Sequence, residues 1–246
     1  MSEGCTWCGT AVEPWDGFRA YELSGGRRAV FCRLEHVIPW AIRGAYWEPL
    51  PGDAELYCST TAMTHYAQGV AYAATGRIEE ATAARDAFLA AVARVPESRY
   101  LFNNTCQDIL AVAGAMLDGE LEYRRGRFDA AFEHLRRAIA LDDALPYDEP
   151  WGWMQPTRHA YGALLLEQGQ VEEAEAVYAE DLGYEPSIPR SSWHPGNVWS
   201  LHGYHECLVR LGKPEPARVV KQQLDVALAR ADVPISSSCF CRLTHR

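Results

Sequence analysis

The chain has 246 residues, 48% hydrophobic and 11% aromatic, which is enough to bury a sizeable core in one large domain or two smaller ones. Lys and Arg total 23 against 33 Asp and Glu, and a net charge of −10 has the wrong sign for gripping nucleic acid through phosphates. No apolar run approaches the roughly 20 residues of a membrane helix, and the first residues lack the basic-then-apolar pattern of a secretory signal. The expectation is a cytoplasmic chain that binds neither membrane nor nucleic acid, its eight cysteines being reduced thiols or metal ligands.

Four candidate ligands cluster near the start: Cys5 and Cys8 as C-x2-C, then Cys32 and His36 as C-x3-H. Cys5 to Gly9 has the form of a tight turn aiming two thiolates at one point. Gly17 to Leu23 and Arg27 to Cys32 alternate around Ser24-Gly25-Gly26, which predicts a β-hairpin. Arg33 to Arg43 reads as a short helix broken at Pro39, and Cys32 and His36 share the face of its first turn. Three thiolates and one imidazole satisfy tetrahedral Zn²⁺ with no open position, so the reading is one structural zinc; buried thiols with His36 bonded to a carbonyl are the alternative. A unit of this size has too little core to fold alone, and a metal supplies what is missing. Residues 1–48 resemble the small treble-clef and zinc-ribbon modules.

Residues 49–55 contain Pro49, Pro51 and Gly52, as suits a stiff exposed linker. Beyond them the chain turns Ala-rich, with apolar residues at i, i+3, i+4 and i+7, so the rest is read as helical. One phrase recurs there: Gly76-Arg-Ile-Glu-Glu-Ala81, Gly126-Arg-Phe-Asp-Ala-Ala131, Gly169-Gln-Val-Glu-Glu-Ala174 and Gly212-Lys-Pro-Glu-Pro-Ala217. Each glycine can end a first helix in a left-handed cap, the acidic residues favour the positive N-terminus of a second helix, and the alanine lets the two lie close. Seven residues before the first three hinges stand Gly69, Gly119 and Gly162, where a small residue lets the second helix approach; His205 holds the fourth place.

These phrases resemble the tetratricopeptide repeat, W-x2-L-G-x2-Y followed by A-x3-F and P, over roughly residues 56–230. Tyr72 takes the tyrosine place, Leu135 and Tyr178 the phenylalanine place, and Pro96 and Pro146 follow the first two helix pairs. Arg85 and Lys221 stand where an apolar residue is expected, and the hinges are 50, 43 and 43 residues apart rather than about 34, which points to longer loops at 96–104, 142–150 and 184–195. The resemblance implies a mainly α fold, a solenoid of about four helix pairs over residues 56–232, with residues 233–246 as a tail. The phrases from His194 to His202 and from Cys239 to Arg242 are also similar to the tails of larger microbial tetratricopeptide-repeat proteins.

In that family the first helix of each pair lines a groove. Carrying its frame over assigns Tyr66, Tyr123, His159, Trp199, His202, His205 and Glu206 to a groove that binds a protein or peptide. The four Trp residues of the helical part fall between 151 and 199, beside His159, His194, His202 and His205, so an aromatic and imidazole pocket is the best candidate site. Space filling is the plainer alternative, and a second metal site using His159, His202 or His205 with Cys239 or Cys241 is another. A metal-dependent enzyme or small-molecule-binding protein built on residues 151–205 is the rival function. No G-x-S-x-G, H-E-x-x-H or phosphate-binding glycine motif supports catalysis, and Asp142, Asp143, Asp148 and Glu149 read as a solvated turn. The Cys239-x-Cys241 pair reads as unreactive. The last helix, Glu215 to Ala231, offers Val219, Leu224, Ala227 and Leu228 to cover the end of the stack or to join a second chain as a homo-oligomer.

Overall fold

Short alternating segments at the start form small antiparallel pairs in the computed structural model, which describes residues 3–6, 10–13, 18–21, 28–32, 59–153, 155–239 and 241–242. The chain divides into two units, Met1–Leu56 and Tyr57–Arg246. In the first, β1 (Glu3–Gly4) pairs with β2 (Ala11–Val12), and β3 (Phe18–Tyr21) pairs with β4 (Arg28–Phe31) in the register Phe18 to Phe31. The expected hairpin is therefore present, and β4 is buried on both faces at Ala29, Val30 and Phe31 rather than alternating. The Cys5 amide donates to the Thr10 carbonyl at 2.8 Å and the Thr6 amide to the Val30 carbonyl at 2.7 Å, joining the first turn to β4. The short helix expected at Arg33 to Arg43 and the linker at 49–55 lie outside the described residues.

The second unit is built of helix pairs. They are α1 (Ser59–Ala74) with α2 (Ile78–Val92), α3 (Cys106–Arg124) with α4 (Phe128–Asp143), α5 (Thr157–Glu167) with α6 (Val171–Leu182), and α7 (Val198–Arg210) with α8 (Pro214–Leu228). Every hinge is closed in the same way. Gly76, Gly126, Gly169 and Gly212 have φ of 76°, 75°, 77° and 66°, and the next amide bonds back five residues, as Arg77 does to Tyr72 and Lys213 to Leu208, both at 2.9 Å. Glu79 and Glu80, Asp129, Glu172 and Glu173, and Glu215 occupy the first turns of the second helices, where the helix dipole favours them. Successive pairs stack through α1 on α3, α2 on α3, α4 on α5, α5 on α7 and α6 on α7. From Thr157 to Leu166 α5 is buried on all sides, so the core centres on it. No helix among the described residues is long and apolar enough to cross a membrane.

The small residues in the first helices do what was expected of them, with two differences. A methyl group added at Gly119 or Gly162 would meet Leu135 at 2.8 Å or Tyr178 at 2.5 Å, the phenylalanine places of their own pairs. At Gly69 it would meet Leu117 at 2.7 Å, a residue of the next pair. In the fourth pair the close approach is made by Gly203, not at position 205, and the side chain it admits is again Tyr178. Arg85 and Lys221, where apolar residues were expected, form ion pairs instead, Arg85 with Asp118 on α3 at 2.5 Å and the exposed Lys221 with Asp225 on its own helix.

The long connections are structured. Residues 100–105 form the hairpin of β5 (Tyr100–Leu101) and β6 (Asn104–Thr105). Its turn docks on the α4–α5 connection, the Asn103 amide reaching Asp148 Oδ2 at 3.0 Å and Asn104 Nδ2 reaching the Pro146 carbonyl at 3.2 Å. This corrects the solvated reading for part of the acidic loop: Asp148 is buried and Asp143 is held by both terminal nitrogens of Arg158, at 2.7 and 2.8 Å, whereas Glu149 is exposed. On α8 the buried side is Ala217, Val220 and Leu224, whereas Val219, read as covering the stack, faces outward and is half exposed.

Candidate functional site

Two of the four predicted zinc ligands are described. Cys5 is buried with Val12, Ala29, Val30 and Phe31, and the half-buried Cys32 packs against that cluster. The β1–β2 turn and β4 therefore bring Cys5 of the C-x2-C and Cys32 of the C-x3-H to the same small core. Cys8 and His36 lie outside the described residues, and among the described ones no three His, Cys, Asp or Glu side chains gather around a point. The latter finding includes His159, His202 and His205, which do not converge into a metal centre with Cys239 or Cys241.

The residues assigned to the groove fall into four places. Tyr66 packs edge-on against Trp153, ring centroids 5.6 Å apart, in a mostly apolar pocket of about 390 Å³ with Met63, Ile109 and Leu110. Burial, with the nearby Glu120 charge, pushes the Tyr66 hydroxyl far above its ordinary range, so it stays neutral. Between α3 and α5, Tyr123 donates to Glu167 at 2.6 Å and accepts from Gln168 at 2.7 Å, while Arg124 pairs with the buried Glu120 at 2.8 Å. On α7, Glu206 accepts from Arg242 at 2.7 Å and from Arg210 at 3.4 Å. Burial lowers the affinity of the half-buried His202 for a proton, and its Nδ1 is buried with no hydrogen-bond partner. His205 and Trp199, also half-buried, stand on the same helix, whose start is capped by Asn197 accepting from the Trp199 amide at 2.9 Å.

Sequence reasoning missed what lies against these residues. The C-terminal segment turns back onto the array. Arg124 donates to the Cys241 carbonyl, Cys241 Sγ lies 3.9 Å from the Ala160 carbonyl oxygen, Tyr178 bonds Ser238, and Arg242 bonds Glu206. Ser237 and Ser238 are buried, and Cys239 and Cys241 are joined by a disulfide bridge, so this pair departs from the expectation of reduced thiols. Tyr178 itself comes from α6. Gly162 and Gly203 leave the space through which its ring passes between α5 and α7 to meet the tail.

His159 belongs elsewhere. It is buried, and its Nε2 lies 3.0 Å from Asp181 Oδ2 and 2.6 Å from Ser200 Oγ. The other carboxylate oxygen of Asp181 accepts from His194 Nδ1 at 2.9 Å, and its carbonyl accepts from the His194 amide at 2.6 Å. One carboxylate, 1% exposed, thus ties α5, α6, α7 and the α6–α7 connection. Burial alone would raise the Asp181 carboxyl, but hydrogen bonds and charge from His159 and His194 hold it well below the ordinary carboxylate range. Ser, His and Asp meet here without the geometry of a nucleophile. Ser200 and Asp181 crowd the same imidazole nitrogen instead of opposite ones, and Ser200 is 0% exposed.

Beside this knot is a cavity of about 220 Å³ rimmed by Trp151, Trp153, Asp142, Arg158, Ser192 and His194. The rings of Trp151 and His194 meet edge-on at 4.7 Å, which unites three members of the predicted His and Trp cluster: Trp151, His194 and His159. Trp193 donates to the Ile188 carbonyl at 3.1 Å and closes its own loop. Arg158 is consumed by Asp143 and Glu180, whereas the Asp142 carboxyl, pushed up to about 6 by burial and by Asp143, accepts from the Thr157 hydroxyl at 3.1 Å and from the Thr157 amide.

No family model matches the chain, and no curated protein matches it. Among solved structures, two crystal structures of a Podosopora anserina putative kinesin light chain with nearly identical TPR-like repeats are similar, each 18% identical and covering 77% of this chain and 82% of theirs, with TM-scores of 0.46 and 0.47.

Proposed function

We propose that this chain is a non-catalytic interaction scaffold, its tetratricopeptide-like array binding an extended protein or peptide segment along the face that carries Tyr66, Tyr123, Trp199, His202, His205 and Glu206. The observation that carries this reading is the chain's own tail: residues 237–239 and 241–242 lie against the helices as an irregular peptide, held by side chains from α3, α6 and α7. A surface that holds such a segment in cis has the donors and acceptors to hold one in trans. The test is selection of displayed random peptides on the chain shortened to end at Asp232, whose groove the tail no longer covers, followed by calorimetry. Selected peptides are expected to bind Glu206→Lys protein at least about tenfold more weakly, the worth of one charge-assisted hydrogen bond. Equal affinity for the variant, or no selectable peptide, would remove the groove from the account.

The first unit is proposed to hold one structural Zn²⁺ through Cys5, Cys8, Cys32 and His36, the support being the common core of Cys5 and Cys32. Metal analysis of purified protein is expected to give about one zinc per chain, and Cys5→Ser protein well under half of that. Full zinc in the variant would show the assignment to be wrong.

A further inference from the structure

We infer that the tail, through residues 237–239 and 241–242, acts as a detachable plug over the groove, and that the partner segment displacing it is a short bent stretch that begins with small residues and ends in an arginine or lysine seated at Glu206. This deepens the scaffold reading and rests on it. The segment is attached in two unlike halves. Residues 229–236 are largely exposed, with Val233 49% exposed, and form a leash from the end of α8. Ser237 and Ser238 are buried, and the residues after them contact three helices besides α6.

The contacts define what the site accepts. Arg124 reads a main-chain carbonyl, that of Cys241, and so imposes no side-chain identity. Tyr178, whose ring fills the space left by Gly162 and Gly203, presents its hydroxyl to Ser238, which is 1% exposed, so a small residue suits that position. Arg242 meets Glu206 at 2.7 Å within the field of Glu167, so a cation is required at the end. Small, then irregular backbone, then basic is the chemistry of the plug and of whatever replaces it.

The experiment uses a fluorescein-labelled synthetic peptide of residues 233–246 with its disulfide closed, the full chain, and a chain ending at Asp232. The peptide is expected to bind the shortened chain saturably and the full chain at least about tenfold more weakly, and an Arg242→Glu peptide to lose at least about tenfold on the shortened chain. A shortened chain that keeps its helical circular dichroism and cooperative melt yet ignores the peptide overturns the plug, as does equal binding to the full chain. Should shortening unfold the array, Arg242→Glu in the full chain is read by amide hydrogen exchange. Faster exchange confined to 237–242 supports the plug, whereas no change, or loosening of α5 and α7 along with it, overturns it. Library peptides that bind the full chain without being displaced by the tail peptide would leave the scaffold standing and remove the plug. Binding of the tail peptide with no library peptide selected would do the reverse to the general groove.

Discussion

Asp181→Ala is expected to lower the stability of the helical unit by about 3–5 kcal/mol, the usual cost of removing one member of a buried charged network. For a unit of this size that is a fall in Tm on the order of 10 °C. The magnitude follows from what is left behind. His159, His194 and Ser200 all direct a polar atom at this carboxylate, and its removal strands them in a site that water does not readily fill. Asp181→Asn retains the shape and one acceptor and is expected to lose less. The pH dependence has a definite sign. Because the folded protein holds the Asp181 carboxyl below its ordinary range, its stabilisation is complete above the unfolded value near about 4 and is lost as the pH falls through the folded one. Asp142 works the other way. Its folded value of about 6 lies above the ordinary one, so its contribution is complete below about 4 and lost as the pH rises through 6. Thermal melts from pH 3 to 8 should therefore show the Asp181→Asn difference shrinking toward acid, and Asp142→Asn gaining on the parent above pH 6. An Asp181→Ala protein that melts within a degree or two of the parent would mean the network contributes nothing.

Gly162→Ala and Gly203→Ala are each expected to cost about 2–3 kcal/mol, at the upper end of overpacking, because both new methyl groups enter the same ring. The Tyr178 ring is 0% exposed and its hydroxyl is anchored on Ser238, so it cannot swing aside. Gly114→Ala is the matched control. Its methyl group would meet Phe88 at 3.3 Å, a contact that a small shift relieves, and the gain in helix propensity of about 1 kcal/mol offsets it. Urea titrations of the three variants decide the matter; equal midpoints for all three would show that the gap between α5 and α7 yields freely.

The parts of this fold legible in the sequence are those whose cause is local. A left-handed cap needs glycine at the hinge whatever surrounds it, and acidic residues suit a helix N-terminus whatever the helix packs on, so all four hinges were readable. The place of Gly203 was not readable, because its partner belongs to the previous pair and nothing ties their spacing to the next hinge. His159 sits at a groove position by count, yet Asp181, His194 and Ser200 reach it from 22, 35 and 41 residues further along the chain. The acidic loop read as solvated for the same reason, since Asn103 and Asn104 come to it from more than 40 residues away. The tail, short and rich in serine, has no periodicity from which its docking could be inferred.

The exposed leash of residues 229–236 sets the terms on which any visitor gains entry. A short flexible tether holds its end at an effective concentration in the millimolar range. If the severed tail bound with a dissociation constant on the order of 10 μM, a competitor's apparent affinity would be reduced about a hundredfold while the tether is intact. Cleavage anywhere along those eight residues would lift that handicap without touching the binding surface.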